Sequence, residues 1–557
     1  MPSAPRSRPF LAPVVVLATA SLWPSAGIAQ SPRSALDRAD PSIVVKTLPP
    51  VPSRPNVPAT TSPPPQAIRA DVTVGLTART ISVGGNETLP AAAFTGATAP
   101  FVGRRLSADD LRALARAVAD VARRQGYLFA TASIEAQPVA DGTLRVTLDE
   151  GRIDAVRTLG PRNAVVDRLL ATLVSPRPAS QPAVERALLL VGDVPGVRVE
   201  SSRYVREDGF GILFVTIAQD RAFGYVQVDN RGSDEVGPIR STTLLNVRGV
   251  LTDGDEIGLI GLQTPAQPRE FAFIGGRYTL PVDSRGGTLS LSGSYGRSHP
   301  GAELRAFDVI GHSTDAAIAL ARPLVRSRSH SLWVDAAVRW LKVDQSLRAI
   351  PLRNDEVTSL TVGLNGNSRL AGGVLRGDLD IVAGLPLPGV THEGDRLTSR
   401  ADGDARFVLG VLSLDWTRPI VGPLSLRLAS TGQLASRPLL ASLEIGAGGP
   451  SFGRAYDYSE RTGDRGILGS AEVRLDVAGK GDSFLSRMQI FGFVDGGYVD
   501  NLRRGTGGGS LISAGGGVRI GRGVVDGGVE IAVPLNSDRF DTADRRPRIS
   551  TRLSARF

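Results

Sequence analysis

The 557-residue chain has no cysteine, 64 glycines, 5% aromatic residues and a formal net charge of +9. The missing cysteine excludes disulfides, thiol nucleophiles and thiolate metal sites, and the four histidines, His299, His312, His330 and His392, are too scattered for a metal cluster. The arginines are spread through strand-like segments and gather in no basic helix or patch, so no nucleic-acid partner is expected; a polar lumen or an anionic membrane surface accounts for the charge.

Residues 1–29 read as a secretory signal peptide. Arg6 and Arg8 precede an apolar run from Phe10 to Ala20, and small residues occupy the stretch from Ser25 to Ala29 where cleavage would fall. Pro13 and Pro24 interrupt this stretch, which is short of the roughly 20 apolar residues of a spanning helix. Residues 30–70 are proline-rich, with Pro49, Pro50 and Pro52 followed by Pro63, Pro64 and Pro65, and are expected to form an extended, mobile periplasmic linker.

Order is expected from about Val72. Ser107 to Asp110 has the form of a capping box, and Leu111, Leu114, Val118 and Val121 recur at helical spacing up to Arg124. Gly126 ends that helix; residues 129–136 and 144–148 alternate as strands, with Asp141 and Gly142 as a hairpin turn. A compact unit therefore covers 71–151. The pattern recurs over 152–221, with a strand at 153–157, short helices at 164–173 and 183–191, and a hairpin from 197–204 to 211–217. Two similar α+β modules in series suggest soluble domains whose exposed sheet edges let an unfolded guest add a strand.

From Ala222 to Phe557 the repeating unit becomes strand and turn. Sixteen candidate strands run from 222–230 to 548–557, an even number as a closed antiparallel bacterial barrel requires. Short turns at 283–286, 325–328, 371–373, 421–423 and 479–481 alternate with longer links at 385–403, 434–467, 499–509 and 534–547. The last strand sets Ile549, Thr551, Leu553, Ala555 and Phe557 on one face, for lipid, and Ser550, Arg552, Ser554 and Arg556 on the other, for the lumen. The expected fold is thus two α+β domains followed by a 16-stranded antiparallel transmembrane β-barrel. The terminal phenylalanine resembles the signal read by the outer-membrane assembly machinery.

Two segments stand out inside the barrel region. One is a glycine-flanked loop from Gly448 to Tyr456 that carries Arg454; the other is the strand from Phe491 to Val499, with Phe493, Asp495 and Gly497 on one face. An arginine fork meeting a carboxylate in a confined lumen makes a stronger bond than at an open surface, so the pair can hold a long loop down the pore. Nothing argues for enzymatic chemistry. Asp253, Asp255 and Glu256 read as a hairpin edge, the glycines from Gly505 to Gly509 lack the lysine and helix of a phosphate loop, and Ser470 has no neighbouring histidine as base. No catalytic residue, cofactor site or metal site is expected.

On these residues the chain resembles the two-partner secretion transporters of the outer membrane (TpsB type, ShlB/FhaC/HecB family) of the Omp85 superfamily, over about residues 72–557. The resemblance implies two periplasmic polypeptide-transport-associated (POTRA) domains at 71–151 and 152–221, a barrel at 222–557, and a sixth external loop, 434–467, inserted into the lumen. The loop-tip motif corresponds to Gly453, Arg454 and Tyr456, with glycines and alanine rearranged relative to the family pattern, and the barrel-wall motif matches in full at Phe493, Asp495 and Gly497. Gly497 is expected to clear space for the loop. The stretches from Thr462 to Gly466 and from Ser470 to Arg474 also resemble the family's return into the twelfth strand. The implied function is export of a partner polypeptide from the periplasm to the cell surface or medium without a nucleotide, the POTRA domains binding the unfolded substrate and the barrel forming the pore. The implied partners are a secreted exoprotein (TpsA-like), periplasmic chaperones, the outer-membrane assembly machinery during biogenesis and outer-membrane lipid; a monomer is expected. The alternative is an assembly or insertion factor for outer-membrane proteins, although such machines resemble a five-POTRA architecture and only two modules fit here. Relatives often plug the pore with an amphipathic N-terminal helix; the stretch from Ser34 to Ala39 is too short to show one, and that element stays open.

Overall fold

A computed structural model of the chain describes residues 39–44, 46, 76–135, 137, 139, 141–207, 209–477 and 487–557. The expected signal peptide and most of the proline-rich segment lie outside these residues.

The first module packs the helix Ala108–Arg124 on a three-stranded sheet. Its start is fixed as the sequence suggests: Ser107 Oγ accepts from Asp110 N at 3.2 Å, and Asp110 Oδ2 accepts from Ser107 N at 2.9 Å. Leu111, Leu114 and Val118 on one helix face are buried with Leu144, Val146 and Leu148 of the central strand. Strand Thr80–Gly84 runs parallel to Thr143–Asp149, and Thr131–Ser133 runs antiparallel to it. The second module repeats the scheme, with Ala155–Leu159 parallel to the central Phe210–Gln219 and Val197–Glu207 antiparallel.

The modules share a joint. Phe129, from the first module's span, belongs to the second module's core and stacks on Tyr204 with ring centroids 4.1 Å apart and planes 13° off parallel. Gly151 sits at positive φ (80°) beneath it, where an added Cβ would come within 2.6 Å of Phe129 Cβ. The hairpin strand, expected over 129–136, spans Thr131–Ser133, and its late start follows from this diversion of Phe129 into the neighbour.

The barrel is closed and antiparallel, with sixteen strands. They are β1 Ala222–Asp229, β2 Arg240–Arg248, β3 Glu256–Gln263, β4 Phe271–Pro281, β5 Thr288–Ser298, β6 Val309–Arg326, β7 His330–Leu347 and β8 Ile350–Leu370. The second half comprises β9 Gly373–Gly384, β10 Val408–Val421, β11 Leu424–Ala435, β12 Arg465–Val477, β13 Arg487–Asp500, β14 Gly509–Arg522, β15 Val525–Pro534 and β16 Arg548–Arg556. β16 closes on β1 through five residue pairs, from Arg552–Asp229 to Arg556–Tyr225. Each strand alternates by face: on β5 and β6, Leu291, Tyr295, Ile318 and Leu320 are exposed outward, while Ser298 and Ser313 are buried inward. The expected strand at 304–324 begins at Val309 because residues Ala302–Phe307 form a 3-10 helix. One external connection also departs from the short-and-long alternation: β7 and β8 are joined by only Arg348 and Ala349, both at positive φ.

Contacts with the second module identify the periplasmic rim. Arg326, at the β6–β7 turn, pairs with Asp193 at 2.7 Å, and Arg186 donates to Pro323 O at 3.0 Å. The longer loops emerge at the opposite rim.

The linker expectation needs correction at residues 39–44 and 46. Ala39 and Ile43 are fully buried, and the helical turn Pro41–Val44 lies against the lumenal faces of β5 and β6. There Gly296 and Gly311 admit Pro41: an added Cβ would sit 3.0 Å and 3.3 Å from its ring atoms. Ala39 joins Val236, Leu262, Phe271 and Phe273 in one apolar cluster. The segment gains its burial from the barrel wall, which its own proline-rich composition does not reveal.

Replacing Phe129 with Ala is expected to cost about 3–5 kcal/mol, the range for truncating a buried aromatic. Limited proteolysis of the full chain in membranes should then cut between residues 135 and 155 faster than in the parent, with the barrel untouched.

Candidate functional site

The loop from 436 to 464 leaves β11 and returns into β12. It descends as a short antiparallel ladder, Ile445–Ala447 against Arg461–Gly463, and then turns tightly. Gly448, Gly449 and Gly453 hold φ of 104°, 97° and 82°, a region that side chains resist. At Gly448 a Cβ would also fall 2.1 Å from Asp457 O. Backbone hydrogen bonds from Gly448 N to Phe452 O (3.0 Å), Gly449 N to Tyr456 O (3.2 Å) and Tyr456 N to Gly453 O (2.9 Å) close the tip on itself.

That tip presents Arg454, only 4% exposed, to three strands. Nη1 donates to Glu472 Oε2 of β12 at 2.8 Å and to Glu530 Oε2 of β15 at 3.2 Å. Nε lies 2.9 Å from Asp495 Oδ2 of β13, but its N–H does not point along that line, so this contact is an ion pair without hydrogen-bond geometry. Asp495 binds the tip more directly through Oδ1, which accepts from Gly453 N at 3.0 Å and Arg454 N at 3.2 Å and from the Ser513 hydroxyl. The guanidinium also lies over the Phe493 ring, 4.0 Å from its centroid.

The charges extend outward in alternation. Glu472 is shared with Arg474 (2.6 Å) and Arg519 (2.9 Å), Glu530 pairs with Arg231 (2.5 Å), and Arg519 covers Phe491 at 3.8 Å. Burying an isolated ion costs several kcal/mol, and the loss of one partner exposes that cost. Alternating signs let each charge be buried beside its opposite.

Tyr456 is buried, with Oη 3.2 Å from Ile512 O and from Asn536 Oδ1 and 3.1 Å from Ser537 O. Its single proton serves one acceptor at a time, and the oxygen accepts from Ser537 N at 3.3 Å. The adjacent Asp457 pairs with Arg548 of β16, and Glu460 accepts from Phe540 N at 3.0 Å. The external loop 535–547 thereby holds the tip from the far side.

Of the sequence-derived residues, the structure brings Gly453, Arg454, Tyr456, Phe493 and Asp495 together. Gly497 differs in its immediate role: the atoms an added Cβ would meet are Leu468 Cδ2 at 2.4 Å and Ile467 O at 2.5 Å, both on β12. It seats Leu468, which in turn packs with Ile445, Ala455 and Tyr456. Glu472 and Glu530 escaped the sequence reading as partners of Arg454. Both fall on the inward parity of their strands, a signal available in the sequence, but their convergence depends on register: Glu472 sits opposite Phe493, the ring beneath Arg454.

Two modules of this kind on the periplasmic rim of a closed sixteen-stranded barrel, with a loop anchored to the lumenal wall, define an outer-membrane transporter of the Omp85 type. Residues 212–520 match the family described as haemolysin secretion/activation protein ShlB/FhaC/HecB, and residues 76–151 match the POTRA domain, ShlB-type; the chain belongs to this family. It is 23% identical over 409 residues to the heme/hemopexin transporter protein HuxB of Haemophilus influenzae, covering 72% of each chain. The outer membrane transporter CdiB of Escherichia coli is 22% identical over 512 residues, 86% of this chain and 82% of that one. A solved structure of CdiB from Escherichia coli superposes with a TM-score of 0.70 at 19% identity, covering 89% of this chain and 93% of the other. The protein is thus a two-partner secretion transporter of the outer membrane, with its POTRA region in the periplasm. Members of the family are transport channels, not enzymes.

Glu472→Gln should weaken the loop-in state as strongly as Asp495→Asn, because each leaves buried arginines short of a carboxylate, a loss of about 3–5 kcal/mol. Planar-bilayer recordings should show a larger mean conductance for both variants than for the parent; parent-like conductance from folded Glu472→Gln protein would count against the network.

Proposed function

We propose that the loop tip, Gly453, Arg454 and Tyr456, bearing on the wall residues Phe493, Asp495 and Gly497, is the plug contact of an export pore. A secreted exoprotein of TpsA type is received unfolded by the two POTRA domains, 71–151 and 152–221, and passes through the barrel, 222–557, to the cell surface or medium. The observation that carries this reading is the position of Arg454, ringed by carboxylates from β12, β13 and β15. A loop fastened there stands in the path of any chain crossing the lumen. The short sheet edge Ala155–Leu159, with Leu159 exposed, supports strand addition by an unfolded guest.

In this reading periplasmic chaperones deliver the guest, the outer-membrane assembly machinery inserts the barrel, outer-membrane lipid surrounds the outward apolar band, and the working unit is a monomer. The exposed outward residues of β5 and β6 support the lipid contact.

Arg454→Ala is expected to lower secretion of the partner at least tenfold while the barrel reaches the outer membrane at parent levels. Normal secretion at normal protein levels would sink the plug assignment. Deleting 448–466 should convert a small, fluctuating conductance into a large, steady one; equal conductance in folded protein would mean that this loop is not the plug.

A further inference from the structure

The plug loop has a second charged anchorage, remote from its tip. The external loop 385–407, between β9 and β10, folds against the stem of the 436–464 loop, where Val390, Ala405 and Phe407 pack with Leu439 and Leu440. Above this apolar contact sits Arg400, its side chain 10% exposed. The two hydrogens of Nη1 are shared among four acceptors, the oxygens of Asp464 (2.8 and 2.9 Å), Glu444 Oε1 (3.1 Å) and Asn501 Oδ1 (3.1 Å). Nη2 donates to Leu502 O at 2.7 Å and Nε to Asp402 at 2.8 Å. One guanidinium therefore joins three external loops, 385–407, 436–464 and 501–508.

Its principal partner is equally committed. Asp464 is fully buried and also accepts from Leu439 N at 2.6 Å and Leu502 N at 2.7 Å. Burial pushes the Asp402 carboxyl up, but the Arg400 side chain and Arg504 N outweigh it and hold that carboxyl below its ordinary range. The N-terminal segment meets the same stem, with Lys46 Nζ donating to Ser442 O at 2.7 Å. These bonding partners of Arg400 and Asp464 are distinct from Glu472, Asp495 and Glu530, the carboxylates around Arg454. The stem thus has ties of its own at the external rim, separate from those of the tip.

We propose that Arg400 is an outer latch: a positioning residue that closes the external mouth by fastening the stem of the plug loop to both neighbouring loops, and that must release for the exported chain to emerge. The inference rests on polypeptide export through this barrel and adds to it a gate separate from the Arg454 contact.

The absence of native cysteine makes a direct test available. Ser399 Oγ accepts from Ala441 N at 3.0 Å, so Ser399→Cys with Ala441→Cys places a thiol on each side of the latch. Oxidation to the disulfide is expected to reduce partner secretion at least tenfold and to keep bilayer conductance low even with Arg454→Ala added; a reductant should restore both. Undiminished secretion from quantitatively cross-linked protein overturns the latch. If the reduced double-cysteine protein fails to secrete, Arg400→Gln decides: a severalfold rise in open probability of folded channels supports the latch, and parent-like gating overturns it. Failure of the parent protein itself to secrete a partner would refute the export reading, not the latch.

Discussion

A guanidinium buried inside a barrel keeps its charge, so its position is dictated by where carboxylates can be gathered around it. Here they come from three strands that are distant in sequence but close in the barrel: Glu472 on β12, Asp495 on β13 and Glu530 on β15. The requirement reaches far beyond Arg454. It fixes strand register, since a slip of one residue would turn Glu472 or Asp495 toward lipid. It explains the glycines of the tip, which let the backbone approach Asp495 closely enough for two N–H groups to bind one carboxylate oxygen. It also accounts for the outlying arginines, which neutralise the acids that Arg454 alone does not.

The lumen is occupied from two sides. The helical turn Pro41–Val44 rests on β5 and β6, whereas the Arg454 tip rests on β12 to β15, about eight strands away around a sixteen-stranded ring and so on the opposite wall. Both meet the stem of the same loop, one through Lys46 and the other by covalent continuity. On the proposed reading, clearing a path for a polypeptide means disturbing several contacts that differ in kind: apolar packing at the N-terminal segment, a buried ion network at the tip, and the Arg400 cluster at the external rim. Each is modest against the hydrogen-bonded wall, whose paired backbone cannot open within lipid without leaving polar groups unsatisfied.

At the periplasmic rim the contacts join folded modules to each other and to the barrel. Phe129 and Tyr204 join the two POTRA modules through one stacked pair, and Arg186 and Asp193 fasten the second module to the β6–β7 turn. The second module, and with it the sheet edge proposed to receive a guest, is thereby held in a fixed relation to the barrel entrance.

The sequence by itself determined what depends on local periodicity and on strong turn chemistry. Alternation along β16, the capping box at Ser107, the count of barrel strands and the motifs around Arg454 and Asp495 were legible because each is encoded within a few neighbouring residues. The tertiary structure alone decided what depends on closure and register. It brought Glu472 and Glu530 to Arg454, assigned Gly497 to Leu468, drew Phe129 into the neighbouring module, and buried Ala39 and Ile43 where composition indicated a mobile linker. In each case the deciding partner lies outside the local sequence: across the β12–β13 register for Gly497 and Leu468, across the barrel lumen for Arg454 and for Ala39 and Ile43, and on the docked second module for Phe129.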